Sequence, residues 1–251
     1  TGNSTSTNSK IEKLKIQPGF QVEHLYSPSA NEQGSWVAMT FDPKGRLITS
    51  DQYGALYRLE IAPVGQDSVL KVEQLEIGKT SGELADTTKP KIQMGHAQGL
   101  LYAFNSLYVM VNNRVSEDFE KASGLYRLQD TDGDDQFDKI TLLKELKGEG
   151  EHGPHSVILS PDKKSIYVIS GNHTDVPPLD AYRLPKVWQE DNMFPLIKDP
   201  RGHANDRMAP GGWVARVDSL GTNWELISAG YRNAFDITFN EDGEMFAYDS
   251  D

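Results

Sequence analysis

The chain of 251 residues contains no cysteine, which excludes disulfides, thiolate-held metals, c-type haem attachment and cysteine nucleophiles among its own residues. It is also short of positive charge. Lys and Arg total 25 against 37 Asp and Glu, and the formal net charge of −12 repels phosphate backbones and anionic headgroups. Nucleic acid and membrane surfaces are therefore poor partners. No apolar run approaches the ~18 residues of a membrane-spanning helix, and the first residues do not read as a cleavable signal peptide. Also missing are a Gly-rich phosphate loop, a Gly-x-Ser-x-Gly elbow and a His-Glu-x-x-His helix, so nucleotide, serine-hydrolase and zinc-protease chemistries lack support. Helical periodicity is scarce as well. The prolines between Asp180 and Pro200 mark an excursion loop with room for one short helical turn.

What remains is a chain with 37% hydrophobic and 9% aromatic residues, enough to bury a sizeable core in one all-β domain. Its opening, Thr1 to Ser9, is polar and of low complexity, and residues 1–17 read as a disordered tether ahead of a folded region over 18–251. Leaders of this kind often follow the processing site of exported or lipid-anchored proteins, the alternative being a cloning remnant or a plain frayed terminus. The expected location is the periplasm or cell surface, with a lipid anchor upstream of residue 1.

One pattern recurs along the folded region: a short apolar strand, a turn with Asp and Gly, a second strand rich in Tyr and aliphatics, and another turn. Val37 to Asp51 with Gly54 to Leu59 is the clearest copy, and Gly99 to Val111 with Gly124 to Leu128 is the second. Further copies run from Ser156 to Gly171 and from Ile237 to Tyr248. Asp42-Pro43-Lys44-Gly45, Pro161-Asp162 and Asp242-Gly243 stand at the same place in three of them, which is hairpin turn chemistry. Multi-stranded repeats of about 40 to 50 residues are the mark of a β-propeller built from four-stranded blades. Four units close a ring poorly, so the expectation is about six or seven blades, with the propeller continuing past residue 251.

Two segments place ionisable groups directly before an apolar strand, Glu151-His152-Gly153-Pro154-His155 and Gly230-Tyr231-Arg232-Asn233. A rigid β-scaffold holds such groups while their tips stay free for a ligand. Either His152 or His155 could be the functional histidine, and His96 and His203, each after a Gly or in a loop, could join them in a transition-metal site. A second cluster, Asp130, Asp132, Asp134 and Asp138, puts carboxylates at loop positions 1, 3, 5 and 9, as a calcium loop does, although Asp135 stands where such a loop has Gly. The alternative is an acidic hairpin turn. Trp36, Trp213 and Trp224 are most simply blade packing.

Gly230-Tyr231-Arg232-Asn233 followed by Ile237 to Gly243 resembles the Gly-His-Arg-Asn-Pro segment of the soluble quinoprotein glucose and sorbosone dehydrogenase family. His152, ten residues before Asp162, is similar to that family's histidine in its spacing. Phrases such as Gly34 to Asp42, Gly150 to His155 and Ala209 to Trp213 also resemble large exported proteins of planctomycetes, whose propeller precedes a helical repeat and a cytochrome c domain. The resemblance implies a propeller oxidoreductase acting on a sugar, alcohol or aldehyde through pyrroloquinoline quinone (PQQ) and Ca²⁺, with a cytochrome c as electron acceptor. It gives His152 the role of catalytic base, Glu151 that of orienting it or raising its basicity, Arg232 that of binding the quinone and stabilising charge on its reduced ring, and Asn233, Gln98 and His155 contacts to the cofactor. It also gives Asn172 the place where the family favours Asp, and Phe235 that of a polar contact. The competing readings are a non-catalytic propeller that binds glycan or protein, and a metal-dependent sugar isomerase or lyase.

Overall fold

The computed structural model describes residues 11–66, 69–78, 94–117, 119–185, 207 and 210–250. It is nearly all β, in four antiparallel sheets of blade type, as the repeat pattern predicts. The only helical pieces among these residues are two 3-10 turns, Ile11–Lys13 and Pro28–Asn31. Of the expected tether, residues 1–10 lie outside the described residues.

The first sheet orders β1 (Trp36–Phe41), β2 (Leu47–Asp51), β3 (Leu56–Ile61) and β4 (Val69–Gln74) side by side. The second repeats this with β5 (Ala97–Ala103), β6 (Ser106–Val111), β7 (Gly124–Gln129) and β8 (Lys139–Glu145). In the third sheet β9 (Pro154–Leu159), β10 (Ser165–Ser170), β12 (Gly212–Asp218) and β13 (Trp224–Tyr231) are neighbours, and the two-residue β11 (Ala181–Tyr182) adds a parallel edge to β13. That edge occupies the start of the segment read as a proline-rich excursion, and residues 186–200 of it lie outside the described residues. The fourth sheet is the pair β14 (Asn233–Phe239) and β15 (Met245–Ser250).

Turn chemistry sets these registers. Between β1 and β2 the Asp42 carboxylate accepts hydrogen bonds from the Lys44 and Arg46 amides while Gly45 takes a φ of 76°. Between β9 and β10 the Ser160 hydroxyl accepts from the Lys164 and Ser165 amides, and between β14 and β15 Gly243 sits at φ 80°. The second sheet lacks an Asp-Gly turn. There Phe104 and Asn105 both adopt φ 50°, two left-handed residues in succession that join β5 to β6.

The sheets stack face to face. Ile48 and Leu56 of the first meet Leu100, Val109, Tyr126 and Leu128 of the second. Tyr108, Met110 and Leu125 then meet Val157, Val168, Trp213 and Trp224 of the third, and Ile169 and Val214 meet Ala234 and Ile237 of the fourth. Each fully buried aliphatic side chain stabilises this stack by about 1.5–3 kcal/mol. Trp213 and Trp224 are core residues, and Trp36 is half-buried in a stack between Tyr26 and Tyr57.

The first strands of successive sheets, β1, β5, β9 and β14, pack against one another in chain order. They form an inner layer, and the starts of β5, β9 and β14 meet at one end. Gly99 of β5 permits this closeness, because a Cβ there would lie 2.5 Å from the His155 carbonyl oxygen. The strand starts and the loops after each second strand therefore gather at one end, and the hairpins joining first to second and third to fourth strands gather at the other.

Candidate functional site

A cleft of about 560 Å³ opens at the end where the inner strands begin. Its wall takes His96 and Gln98 from the start of β5, Glu149, Gly150, Glu151 and His155 from the entry to β9, and Phe235 from β14. The loops after β2 and β6 add Gln52, Tyr53, Asn112, Asn113 and Arg114.

His155 is the second residue of β9 rather than a loop residue, and it is buried. Its Nε2 lies 2.9 Å from Asn233 Oδ1, which makes Nε2 the protonated nitrogen and leaves the lone pair on Nδ1. Burial pushes the imidazole below its ordinary pKa, opposed by the Asn233 hydrogen bond and by the Glu151 backbone, so the ring is neutral at neutral pH. Phe235 lies against it with ring centroids 4.7 Å apart and stays exposed on the cleft side.

His152 lies in the loop before β9, is 1% exposed and is no part of the cleft wall. Asn172 Oδ1 accepts from its Nδ1 at 2.7 Å, and His173 stacks on it at 4.7 Å. Burial lowers its pKa most, with the charge of Arg232 contributing in the same direction and the Asn172 hydrogen bond opposing. Arg232 joins this group through its backbone, whose carbonyl accepts from the Asn172 amide at 2.8 Å. Its own amide and that of Asn233 donate to the Asp249 carboxylate, and its Nη1 reaches the Ser250 carbonyl at 3.4 Å. The histidine segment and the Arg-Asn segment thus converge. Gln98, Glu151 and His155 form the wall, while His152, Arg232 and Asn233 stand behind it.

The Glu149 to Gly153 turn covers two buried acceptors. Asn112 donates from Nδ2 to the Gly150 carbonyl at 2.8 Å, while its Oδ1 is buried without a partner. His155 Nδ1 is buried without a well-formed hydrogen bond. Gly150 stands at φ 79°, and a Cβ on Gly153 would fall 2.5 Å from the Asn112 amide, so the turn depends on both glycines.

His96 lines the same cleft at φ 52°, stacked on Phe119 at 5.1 Å and edge-on to Tyr53 at 5.8 Å. Left-handed backbone at a non-glycine residue is costly and concentrates at functional sites. Burial lowers its pKa too, against the charge of Asp51. A histidine metal centre finds no support, since the one group of three or more potential ligand residues close enough to share an ion, among the described residues, is Asp130, Asp132 and Asp138. His203 lies outside the described residues.

That acidic loop stands at the opposite end of the sheets. Asp134 does not join the other three, because its carboxylate accepts from the Gln136 amide. Asp138 accepts from the Thr131 amide and hydroxyl, and Asp130 from the Gly133 and Asp135 amides. Asp135, at φ 70° where a calcium loop has Gly, turns its carboxylate to Arg46, Lys44 and Arg58 of the first sheet.

The residues missing from the sequence reading share one position. Gln52-Tyr53 and Asn112-Asn113 each follow the second strand of a sheet, the place that Asn172 takes in the third, so superposing the repeats strand by strand would have exposed them.

No family model matches the chain, and no curated protein does. Solved structures similar to it include the PQQ-bound form of an aldose sugar dehydrogenase from Streptomyces coelicolor, at 15% identity and a TM-score of 0.49, over 85% of this chain and 56% of that one. A protein described as a 6-phosphogluconolactonase from Bacteroides uniformis is similar at 12% identity and a TM-score of 0.43, over 91% and 51%. Hydrazine synthase of Kuenenia stuttgartiensis follows at 11% and 0.37, over 85% and 61%. The chain thus spans about half to three-fifths of the length of these structures. No helix among the described residues is long and apolar enough to cross a membrane.

Proposed function

We propose that the cleft binds a sugar and that the protein is a quinoprotein-type oxidoreductase removing hydrogen from a sugar or related alcohol or aldehyde. The observation that carries this reading is the convergence at one cleft of a neutral, amide-held imidazole with the side-chain amides of Gln52, Gln98 and Asn112 and the exposed rings of Tyr53 and Phe235. Amides pair with hydroxyls as both donors and acceptors, and exposed rings stack on the apolar faces of sugars. The two buried acceptors without partners ask for O–H donors, which a polyol brings.

In this reading His155 is the base. Asn233 fixes Nε2–H, and Nδ1 takes the proton of the reacting hydroxyl. The Glu151 backbone then stabilises the protonated ring. Because the 149–153 turn encloses Nδ1, substrate entry requires that turn to shift, and Gly150 at φ 79° is its hinge in this reading. His152 and Arg232 are positioning residues in this scheme. They tie the Asn172 loop, the β9 entry and the start of β14 into one unit.

The wall also accommodates PQQ. Phe235 offers a flat exposed ring and Gln98 a side-chain amide to such a cofactor. A quinone held there would supply the hydride acceptor. Ca²⁺ in this reading belongs to Asp130, Asp132 and Asp138, remote from the cleft and structural in role. A cytochrome c as electron acceptor rests on the sequence resemblance, and a periplasmic or cell-surface location with a lipid anchor on the polar leader.

The test is dye reduction by the purified chain with PQQ, Ca²⁺ and a panel of aldoses. Turnover that His155→Ala lowers by at least about 100-fold supports the reading. Sugar binding without turnover at any cofactor concentration would replace it with the glycan-binding alternative, which the same amide-lined wall favours.

A further inference from the structure

A second depression of about 520 Å³ adjoins the cleft and shares Asn113, Arg114 and Glu149 with it as a common wall. The floor is formed by the exit of β6 and the stretch after β8, so it lies at the same end of the sheets, between the second and third. Its charge runs against that of the molecule. The chain as a whole carries a formal charge of −12, yet the depression holds Arg114, Lys147 and Arg207 against Glu149 and Asp175. Asp175 is already neutralised by Arg207 at 2.7 Å. Arg114 and Lys147 are exposed cations, and the structure gives their side chains no hydrogen bond or ion pair.

Evolving or folding pressure for stability does not require two unpaired cations to face one hollow, since exposed ion pairs contribute little and acids abound nearby. Their placement suits an anionic group that arrives from outside. Because the hollow continues from the sugar cleft, that group belongs to the same ligand. We infer that the second depression is a subsite for a carboxylate-bearing sugar unit, so that the protein takes acidic, uronate-containing oligosaccharides in preference to neutral ones. The inference rests on the sugar-binding reading of the first cleft. Asn113 and Arg114 on the shared wall connect the neutral unit in the cleft with the acidic unit beside it.

The experiment is calorimetric titration of the purified chain with an α-1,4-linked digalacturonate and with its neutral digalactose counterpart at low and high salt. The expected result is about tenfold tighter binding of the acid at low salt, as one screened charge-assisted contact gives. The preference should shrink in high salt, fall in Lys147→Gln and in Arg114→Gln, and reach about one when both are replaced, with folding checked by circular dichroism. Equal affinity for both disaccharides overturns the acidic subsite and leaves the sugar reading standing. Binding of neither disaccharide, nor of the monosaccharides, overturns the sugar reading and the subsite together. An acid preference that survives both substitutions also overturns the assignment to this depression.

Discussion

The Nε2 of His155 lies 2.9 Å from the Oδ1 of Asn233, a buried contact between residues 78 positions apart that ties the second residue of β9 to the first of β14. It joins two neighbouring blades and sets the tautomer of the cleft-wall histidine that lies within β9. Replacing Asn233 with Ala leaves a buried imidazole N–H unpaired, at a cost of about 1–3 kcal/mol measured by urea unfolding. Asn233→Asp puts a carboxylate at the same distance and raises the imidazole pKa, which NMR titration of the ring protons reads directly. An unchanged titration in Asn233→Asp would show that the pair is not formed in solution.

Burial lowers the pKa of His155, and those of His152 and His96 as well. For a histidine whose folded pKa is depressed, the unfolded chain binds more protons, so stability rises with pH. Their contribution is complete above the unfolded value of about 6.5 and is lost as pH falls through the folded values. Urea midpoints should therefore be level from pH 8 to pH 7 and decline toward pH 5. The decline should be shallower in His155→Gln than in the parent, and a parent curve that is flat over that range would contradict the neutral burial of these rings.

Asp135 clasps the second blade to the first. Its carboxylate receives the Arg46 guanidinium at 2.5 and 2.8 Å and the Lys44 ammonium at 3.0 Å, and its carbonyl accepts from Arg58 at 2.8 Å. Arg58 is buried and also paired with Glu73, so loss of Asp135 leaves positive charge without a full complement. Asp135→Asn should cost about 1–2 kcal/mol, reduced from the value for a fully buried pair because the Asp135 carboxylate is partly exposed. The Arg46 guanidinium holds the Asp135 carboxyl well below the usual carboxylate range. Its stabilisation is thus complete above the unfolded value of about 3.9 and is lost as pH falls toward the folded one. Thermal unfolding at pH 7 and pH 3 should show a smaller acid loss in the variant.

Ca²⁺ at Asp130, Asp132 and Asp138 should raise the melting temperature by RT ln(1 + [L]/Kd) in free-energy terms, and EGTA should reverse the rise. Asp138→Asn removes one of the three carboxylates and should abolish the shift. Identical melts with Ca²⁺ and with EGTA would make the loop an acidic hairpin held by its own amides.

The first two strands of each sheet, the third of the first two sheets and their hairpins were legible in the sequence, because apolar alternation and Asp, Pro and Gly turn chemistry are local properties of a few consecutive residues; β4, β8, β12 and β13 were not assigned from it. Val37 to Phe41, Asp42 to Gly45 and Leu47 to Asp51 needed nothing from the rest of the chain to read as a strand, a turn and a strand. The two segments of the candidate site were legible for the same reason, since each stands at the entry to an inner strand. Which side chains face the cleft was not. His152 and His155 are three residues apart, and only the packing of β9 between β5 and β14 turns one under the surface and the other onto the wall. The amides of Gln52, Asn112 and Asn172, and the clasp of Asp135 on Arg46, bring together positions far apart along the chain. Such contacts depend on how sheets stack and how closely Gly99 lets the inner strands approach, and only the tertiary structure decides that.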